Sequence, residues 1–138
     1  MAIKLSTTVR NGMLDAITTA VGTSALWRIY SGSQPATPET TTVIAQLAEL
    51  TCSSTFAPGA STTSNVLTLN PITQDSSADA TGTAAWFRIA ATGAIAGAAG
   101  FIDGSVSTSS ADLNLNSTSI TTGAIVQITA ATFTAGNA

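Results

Sequence analysis

Few residues in this chain have side chains that could catalyse a reaction. The sequence has one cysteine, Cys52, seven acidic residues and no histidine. Without histidine, a Ser-His-Asp triad, a Cys-His pair and the usual zinc ligand sets are all excluded. Because no cationic residue neighbours Cys52 in the sequence to lower its pKa, we interpret it as a buried structural thiol rather than a nucleophile.

Asp75 and Asp79 are the acidic residues whose spacing most invites a chemical interpretation. Two carboxylates that face each other can hydrolyse a glycosidic bond, and the same oxygens can bind calcium. The segment that joins these aspartates lacks the ligand spacing and the glycine of an EF-hand loop, and polar turns commonly contain aspartate. We therefore predict no catalytic residue, no metal site and no cofactor, and we expect that the protein is not an enzyme.

Two stretches with alternating side chains place an arginine at equivalent positions, in Trp27-Arg28-Ile29 and Phe87-Arg88-Ile89. Alternate residues of a β-strand lie on opposite faces, so each arginine lies opposite an apolar pair that faces the core. If the two strands are neighbours, the arginines can meet carboxylates such as Glu49 or Asp103. The hypothesis is that this face is stabilised by structural ion pairs or contacts a partner. Its candidate residues are Arg28, Arg88, Trp86 and Tyr30.

One helix is predicted near the start of the chain, over 8–21. Val9, Met13, Ile17 and Val21 follow one another at a spacing of four, which is typical of an amphipathic helix. We expect this apolar stripe to pack on the core.

Short strands separated by turns are predicted from about residue 25 to residue 134. The segment 43–52 fits either a helix or a strand, and its alternation favours a strand. Strands at short intervals, with no long helices between them, favour an antiparallel β-sandwich or jelly roll. The predicted fold class is therefore mainly β with one N-terminal α-helix, in a single domain that spans 1–138.

Connecting segments without periodicity offer contacts to other proteins. Two loops, 32–42 and 53–64, are rich in proline, serine and threonine, and both are candidates for such contacts, as are the two termini. The glycine-rich segment 93–100 does not match a dinucleotide-binding motif and indicates a flexible connection or a close approach of the backbone. The candidate contact residues in the first two loops are Gln34, Pro35, Pro38, Phe56 and Pro58.

The composition favours a protein that works packed against others. Charged residues make up 8% of the chain, against about 25% in ordinary globular domains, and the net charge is −3. The four cations are scattered, so no direct contact with nucleic acid is expected. No secretory signal peptide is predicted at the start, and the longest charge-free apolar region, 89–102, is too short for a membrane-spanning helix.

The longest distinctive phrase of the sequence is Leu67-Thr-Leu-Asn-Pro-Ile-Thr-Gln-Asp-Ser-Ser-Ala-Asp-Ala-Thr-Gly-Thr-Ala-Ala-Trp-Phe-Arg-Ile89. Together with the segments 102–106 and 112–117, and with the opening helix and the segment 26–32, it resembles small structural proteins of tailed bacteriophages. Within these, the chain is similar to the head decoration, or cement, proteins. The resemblance covers most of the chain and provides no catalytic residue.

This resemblance implies a jelly-roll-like fold and a place on the capsid exterior of the virion, after synthesis in the bacterial cytoplasm. The implied partners are the major capsid protein, whose neighbouring subunits the protein would clamp, and further copies of itself in a dimer or trimer. Loop 32–42 is expected to serve that contact without being needed for folding. One alternative is another virion component, such as a tail or fibre-base module.

A carbohydrate-binding β-sandwich is the alternative from a different class. A sugar site needs exposed aromatic rings beside polar groups. Only Trp27, Trp86 and Tyr30 are plausible for that role, and Trp86 is the strongest of them because it shares a face with Arg88.

Overall fold

The computed structural model describes residues 3–59 and 65–135, which form a mainly β structure with one α-helix at the N-terminus. The helix, α1, spans Thr7–Val21. Ser6 precedes it with an extended backbone, and its hydroxyl accepts a hydrogen bond from the Val9 N–H at 3.3 Å. Gly22 ends it at a φ of 75° and donates its N–H to the Thr18 carbonyl. Within the described residues, no helix is both long and apolar enough to cross a bilayer.

The apolar stripe predicted for this helix is only partly buried. Leu14 and Val21 are buried and Ile17 is half-buried, but about half of the surface of Val9 and of Met13 is exposed. Four residues turn an α-helix by about 400°, so a stripe with a spacing of four rotates by about 40° at each step. The stripe therefore turns away from the core toward the start of the helix, and the prediction that Val9 and Met13 pack on the core was wrong.

Ten strands follow α1 in the described residues. The ambiguous segment 43–52 forms a strand from residue 46 onward, as its alternation predicted. Three of the ten strands contain only two residues each, which is too short for a pattern in the sequence. In chain order they are β1 Leu26–Tyr30, β2 Gln46–Cys52, β3 Val66–Thr68, β4 Ile72–Thr73, β5 Gly82–Thr83, β6 Trp86–Ala90, β7 Ile102–Ser107, β8 Leu113–Leu115, β9 Ser119–Ile120 and β10 Ile128–Thr134.

Eight of these strands form one large curled sheet in the order β3-β10-β8-β7-β6-β1-β2-β4, and β5 pairs with β9. The edge strands β3 and β4 are consecutive in the chain, with only residues 69–71 between them. Just after β4, Asp75 exchanges two backbone hydrogen bonds with Val126, which shortly precedes β10. The segment after β4 therefore reaches the segment before β10, near the other end of the sheet, and the curled sheet encloses a core in the manner of a β-sandwich. One pair, β7 and β8, is parallel, so the sheet is mixed rather than wholly antiparallel.

The core lies on the inner face of this sheet, where the apolar partners of the two arginine triplets are buried. Trp27 is fully buried there, with its ring 4.8 Å from Phe87 and 6.4 Å from Phe56 and Phe133 between ring centres. Burial of a large apolar side chain stabilises a fold by about 1.5–3 kcal/mol. Phe56 belongs to this aromatic cluster and is 1% exposed, so its prediction as a contact residue was wrong.

Candidate interaction surface

Four charged side chains form a row across four neighbouring strands on the outer face of the sheet. Glu49 of β2 lies opposite Arg28 of β1, which lies opposite Arg88 of β6, which lies opposite Asp103 of β7. Like charges that face each other across a strand pair destabilise a sheet. Here each arginine has a carboxylate on its other side, so the row is neutral as a whole.

Arg88 forms the more buried of the two ion pairs. Its Nε lies 2.7 Å from Oδ1 of Asp103 and its Nη2 lies 2.6 Å from Oδ2, and both side chains are almost fully buried. These hydrogen bonds with Asp103 raise the pKa of Arg88. The remaining nitrogen, Nη1, donates to the backbone carbonyls of Thr40 at 2.7 Å and Ala98 at 3.0 Å. The buried guanidinium is therefore matched by a bidentate carboxylate and by two segments that lie outside the sheet.

Arg28 repeats this arrangement closer to solvent. Its Nε donates to Glu49 at 2.9 Å, and the Glu49 side chain is 37% exposed. Its two terminal nitrogens donate to the carbonyls of Ile95 and Ala94. The backbone N–H of Glu49 donates to a carboxylate oxygen of Asp75 at 3.0 Å, which links the row to the turn after β4. The geometry thus shows the ion pairs with Glu49 and Asp103 that the arginine hypothesis named.

Tyr30 and Trp86 lie on the same face, and both are buried. Their rings stack with centres 4.4 Å apart, and the guanidinium carbon of Arg88 lies 5.3 Å from the centre of the Trp86 ring. The Tyr30 hydroxyl accepts a hydrogen bond from the Gly97 N–H at 3.2 Å, and the Trp86 indole donates to the Ser31 carbonyl at 3.0 Å. All four candidate residues of this face therefore bind loop backbone and hold it in place.

The backbone that they hold belongs to two loops, 31–45 between β1 and β2 and 91–101 between β6 and β7. We call these two loops the platform. They are joined directly by a hydrogen bond from the Thr42 N–H to the Gly97 carbonyl at 2.9 Å. The platform covers the outer face of β1 and β6, and this cover explains how two arginines and two aromatic rings on that face are buried. The surface that a partner can touch is the platform itself.

Loop 32–42 is hydrogen-bonded to the rest of the fold, which argues against the expectation that the domain would fold without it. The Pro38 carbonyl accepts a hydrogen bond from the Gly100 N–H at 2.8 Å, and the Thr40 carbonyl is a partner of Arg88. Deletion of the loop would leave a buried guanidinium without one of its acceptors. Of the other contact residues predicted in this loop, Gln34 is exposed and Pro35 is half-buried.

In the second predicted contact loop, 53–64, one candidate residue is exposed and the other is buried. Pro58 is exposed, as a contact residue must be, whereas Phe56 is buried in the core. Residues 60–64 of this loop lie outside the described residues, as do positions 1–2 and 136–138 of the predicted terminal contacts.

The glycine-rich segment makes the close backbone approach that the sequence allowed for. A Cβ atom at Gly97 would lie 2.2 Å from the Thr42 carbonyl oxygen, and one at Gly100 would lie 2.5 Å from the Ile89 carbonyl oxygen. Such distances exclude any side chain unless the backbone moves. The glycine spacing indicated a close approach of the backbone, but only the fold shows that Thr42 and Ile89 are the residues approached.

The exterior carries few charges. The two ion pairs of the row occupy two of the four cations and two of the seven acidic residues. The two cations and five carboxylates that remain are Lys4, Arg10, Asp15, Glu39, Asp75, Asp79 and Asp112. Outside the row, the acidic side chains therefore outnumber the basic ones by five to two.

Asp75 and Asp79 each have a structural hydrogen-bonding role. The Asp75 carboxylate accepts from the backbone N–H groups of Glu49 and Ser77. Asp79 accepts from the side-chain amide of Gln46 at 2.7 Å. Both aspartates thus fix the turn between β4 and β5 to β2.

Cys52 is buried in the core beside Trp27. The Trp27 indole N–H donates to its sulfur at 2.9 Å, and burial raises the pKa of the thiol to about 11. The neutral thiol is the form that the folded state stabilises, and thiolate is the form that reacts with disulfides. This supports the structural role proposed from the sequence.

Cys52 is therefore expected to be protected from thiol reagents until the protein unfolds. At pH 8, reaction with an aromatic disulfide should be at least about a hundredfold slower for the native protein than for the protein in denaturant, because the thiol is both protonated and inaccessible. The release of the chromophore measures both rates. Equal rates in the two states would show that the pocket around Cys52 opens readily.

Comparison with known proteins identifies no relative from which a role could be transferred. No family model matches the sequence, and neither a curated protein nor a solved structure matches the chain.

Proposed function

We propose that this protein is a non-enzymatic structural component of a tailed-bacteriophage virion, a decoration protein. In this role it binds the outer surface of the capsid and stabilises the contacts between neighbouring major capsid subunits. The resemblance of residues 67–89 to decoration proteins suggests this role.

The observation that carries the proposal is the way the chain uses its few charges. Half of its cations are buried to hold the platform, and the platform contains a single charged residue, Glu39. A surface of alanine, serine, threonine and glycine loses little side-chain entropy when it is covered. It also produces little repulsion between copies that lie side by side. Both properties suit a protein that covers a repeated lattice, where many modest contacts add up to stable attachment.

The three rings named for a carbohydrate site are not accessible to a sugar. Trp27, Trp86 and Tyr30 are all at most 1% exposed, so none of these rings offers a face to a sugar. We therefore do not propose that function. A role in the tail or fibre base uses the same uncharged surface, and the location of the bound protein on the virion distinguishes the two roles.

The test is the addition of purified protein to capsids of the encoding phage from which it has been omitted. We expect saturable binding to the capsid exterior, seen as a regular extra density by cryo-electron microscopy, and a higher temperature of capsid disruption. Light scattering of the free protein tests whether it forms the proposed dimer or trimer. Density confined to the tail would move the assignment to the tail module, and failure to bind any virion part would overturn the proposal.

A further inference from the structure

Two large aliphatic side chains stand out on the platform, one on each loop. Val43 has a relative exposure of 104% and Ile95 of 80%. Their loops are joined next to them, since Thr42 donates to Gly97. Single exposed aliphatic residues are common on proteins and need no explanation. Val43 and Ile95 differ from such single residues because their loops are hydrogen-bonded to each other, so one partner can cover both side chains.

The backbone on which these side chains stand is held firmly. The Ile95 carbonyl accepts a hydrogen bond from the buried Arg28 guanidinium. On the other loop, the Thr42 hydroxyl accepts from the Ile44 N–H at 3.1 Å, which fixes the turn on both sides of Val43. Loops that are already ordered lose less entropy when they bind. The buried row of charges therefore prepares the two aliphatic side chains for contact.

The charge of the platform indicates what kind of surface fits it. Neither loop contains lysine or arginine, which proteins use to approach anionic lipid, and their one charged residue is Glu39. Hydrogen bonds from the backbone and from Thr37 lower the pKa of Glu39, so it remains a carboxylate at neutral pH. The matching surface is a small apolar recess on a folded protein, with a rim that is neutral or basic.

We propose that Val43 and Ile95 are paired anchors that insert into an apolar recess of a neighbouring protein subunit. This inference rests on the proposed function, under which that subunit is the major capsid protein. Arg28, Arg88, Tyr30 and Trp86 are positioning residues in this arrangement, because they act through the loop backbone that they hold.

The experiment compares two double variants in the capsid-binding assay. Val43→Ser with Ile95→Ser removes the anchors, and Ile3→Ser with Ile125→Ser is the matched control, since those isoleucines are also exposed but lie outside the platform. We expect the anchor variant to bind capsids at least about tenfold more weakly and the control to bind within about twofold of the wild type. Both variants should keep the wild-type Tm, because each of the four replaced side chains is more than half exposed. If the anchor variant loses Tm, Val43→Ser alone decides, because that fully exposed side chain can be removed without disturbing the fold.

Each outcome separates the anchor inference from the proposed function. Wild-type binding by the anchor variant would overturn the anchors and leave the decoration role standing. Failure of the wild type to bind capsids would overturn the decoration role and the anchors with it. Binding of the wild type, but not of the anchor variant, to vesicles of neutral phosphatidylcholine would show a lipid partner and overturn the protein recess.

Discussion

Replacement of Arg88 by methionine is expected to lower the free energy of unfolding by about 3–5 kcal/mol, because it leaves the Asp103 carboxylate buried without a partner. The carbonyls of Thr40 and Ala98 lose a donor at the same time. The same replacement at Arg28 should cost less, since its partner Glu49 is 37% exposed and can be solvated by water. Urea denaturation of the two variants measures the difference.

A double variant tests whether the effect comes from the unpaired charge. Arg88→Met combined with Asp103→Leu removes both members of the pair, and replacement of a buried pair by apolar residues is often close to neutral. The double variant should therefore be more stable than Arg88→Met alone, which a double-mutant cycle reports as a coupling energy. Equal losses for Arg88→Met and Arg28→Met, with no coupling to Asp103, would contradict the burial argument.

Replacement of Gly97 by alanine is expected to destabilise the protein more than replacement of Gly93, the other glycine of segment 93–100 that has a positive φ. Gly97 has a φ of 76°, and its Cβ would lie 2.2 Å from the Thr42 carbonyl oxygen. Gly93 has nearly the same φ, 73°, but a Cβ there would meet no atom within 4 Å. Gly93→Ala therefore lowers the free energy of unfolding only through the left-handed backbone, by about 1–2 kcal/mol. Gly97→Ala adds the steric conflict, about 1–3 kcal/mol more.

The comparison of these two alanine variants isolates the contact between the platform loops. Thermal unfolding of both, under the same conditions, gives the difference directly. Because the conflict lies between the two loops, Gly97→Ala should also weaken capsid binding under the proposed function, whereas Gly93→Ala should not. Equal stability of the two variants would show that the loops separate at little cost.

The longer strands and the faces of the two arginines could be predicted because both follow from the period of two. The alternation around Arg28 and Arg88 assigned their faces correctly, and the two carboxylates named for them are the ones they contact. What the alternation could not provide was the register that aligns all four residues. Register depends on which strands are neighbours, and that depends on contacts distant in the sequence.

The conformation of the platform could not be predicted from the sequence, for a related reason. Loops 31–45 and 91–101 have no periodicity, and their conformation depends on side chains from β1 and β6 that bond to their carbonyls. The burial of Phe56 was missed for the same reason, since nothing in its local sequence distinguishes a loop phenylalanine at the surface from one that packs in an aromatic cluster. The helix stripe failed because a spacing of four was treated as if it kept to one side of the helix.

The backbone pairing of Asp75 with Val126 matters for a protein that would stand in dense arrays. An open sheet presents bare amide and carbonyl groups to which another chain can add, and crowding makes such fusion into fibres more frequent. Here the two outermost strands are only three and two residues long, and the chain after β4 is paired with the segment before β10. Short edges of this kind leave few backbone groups to which a neighbouring copy could add a strand.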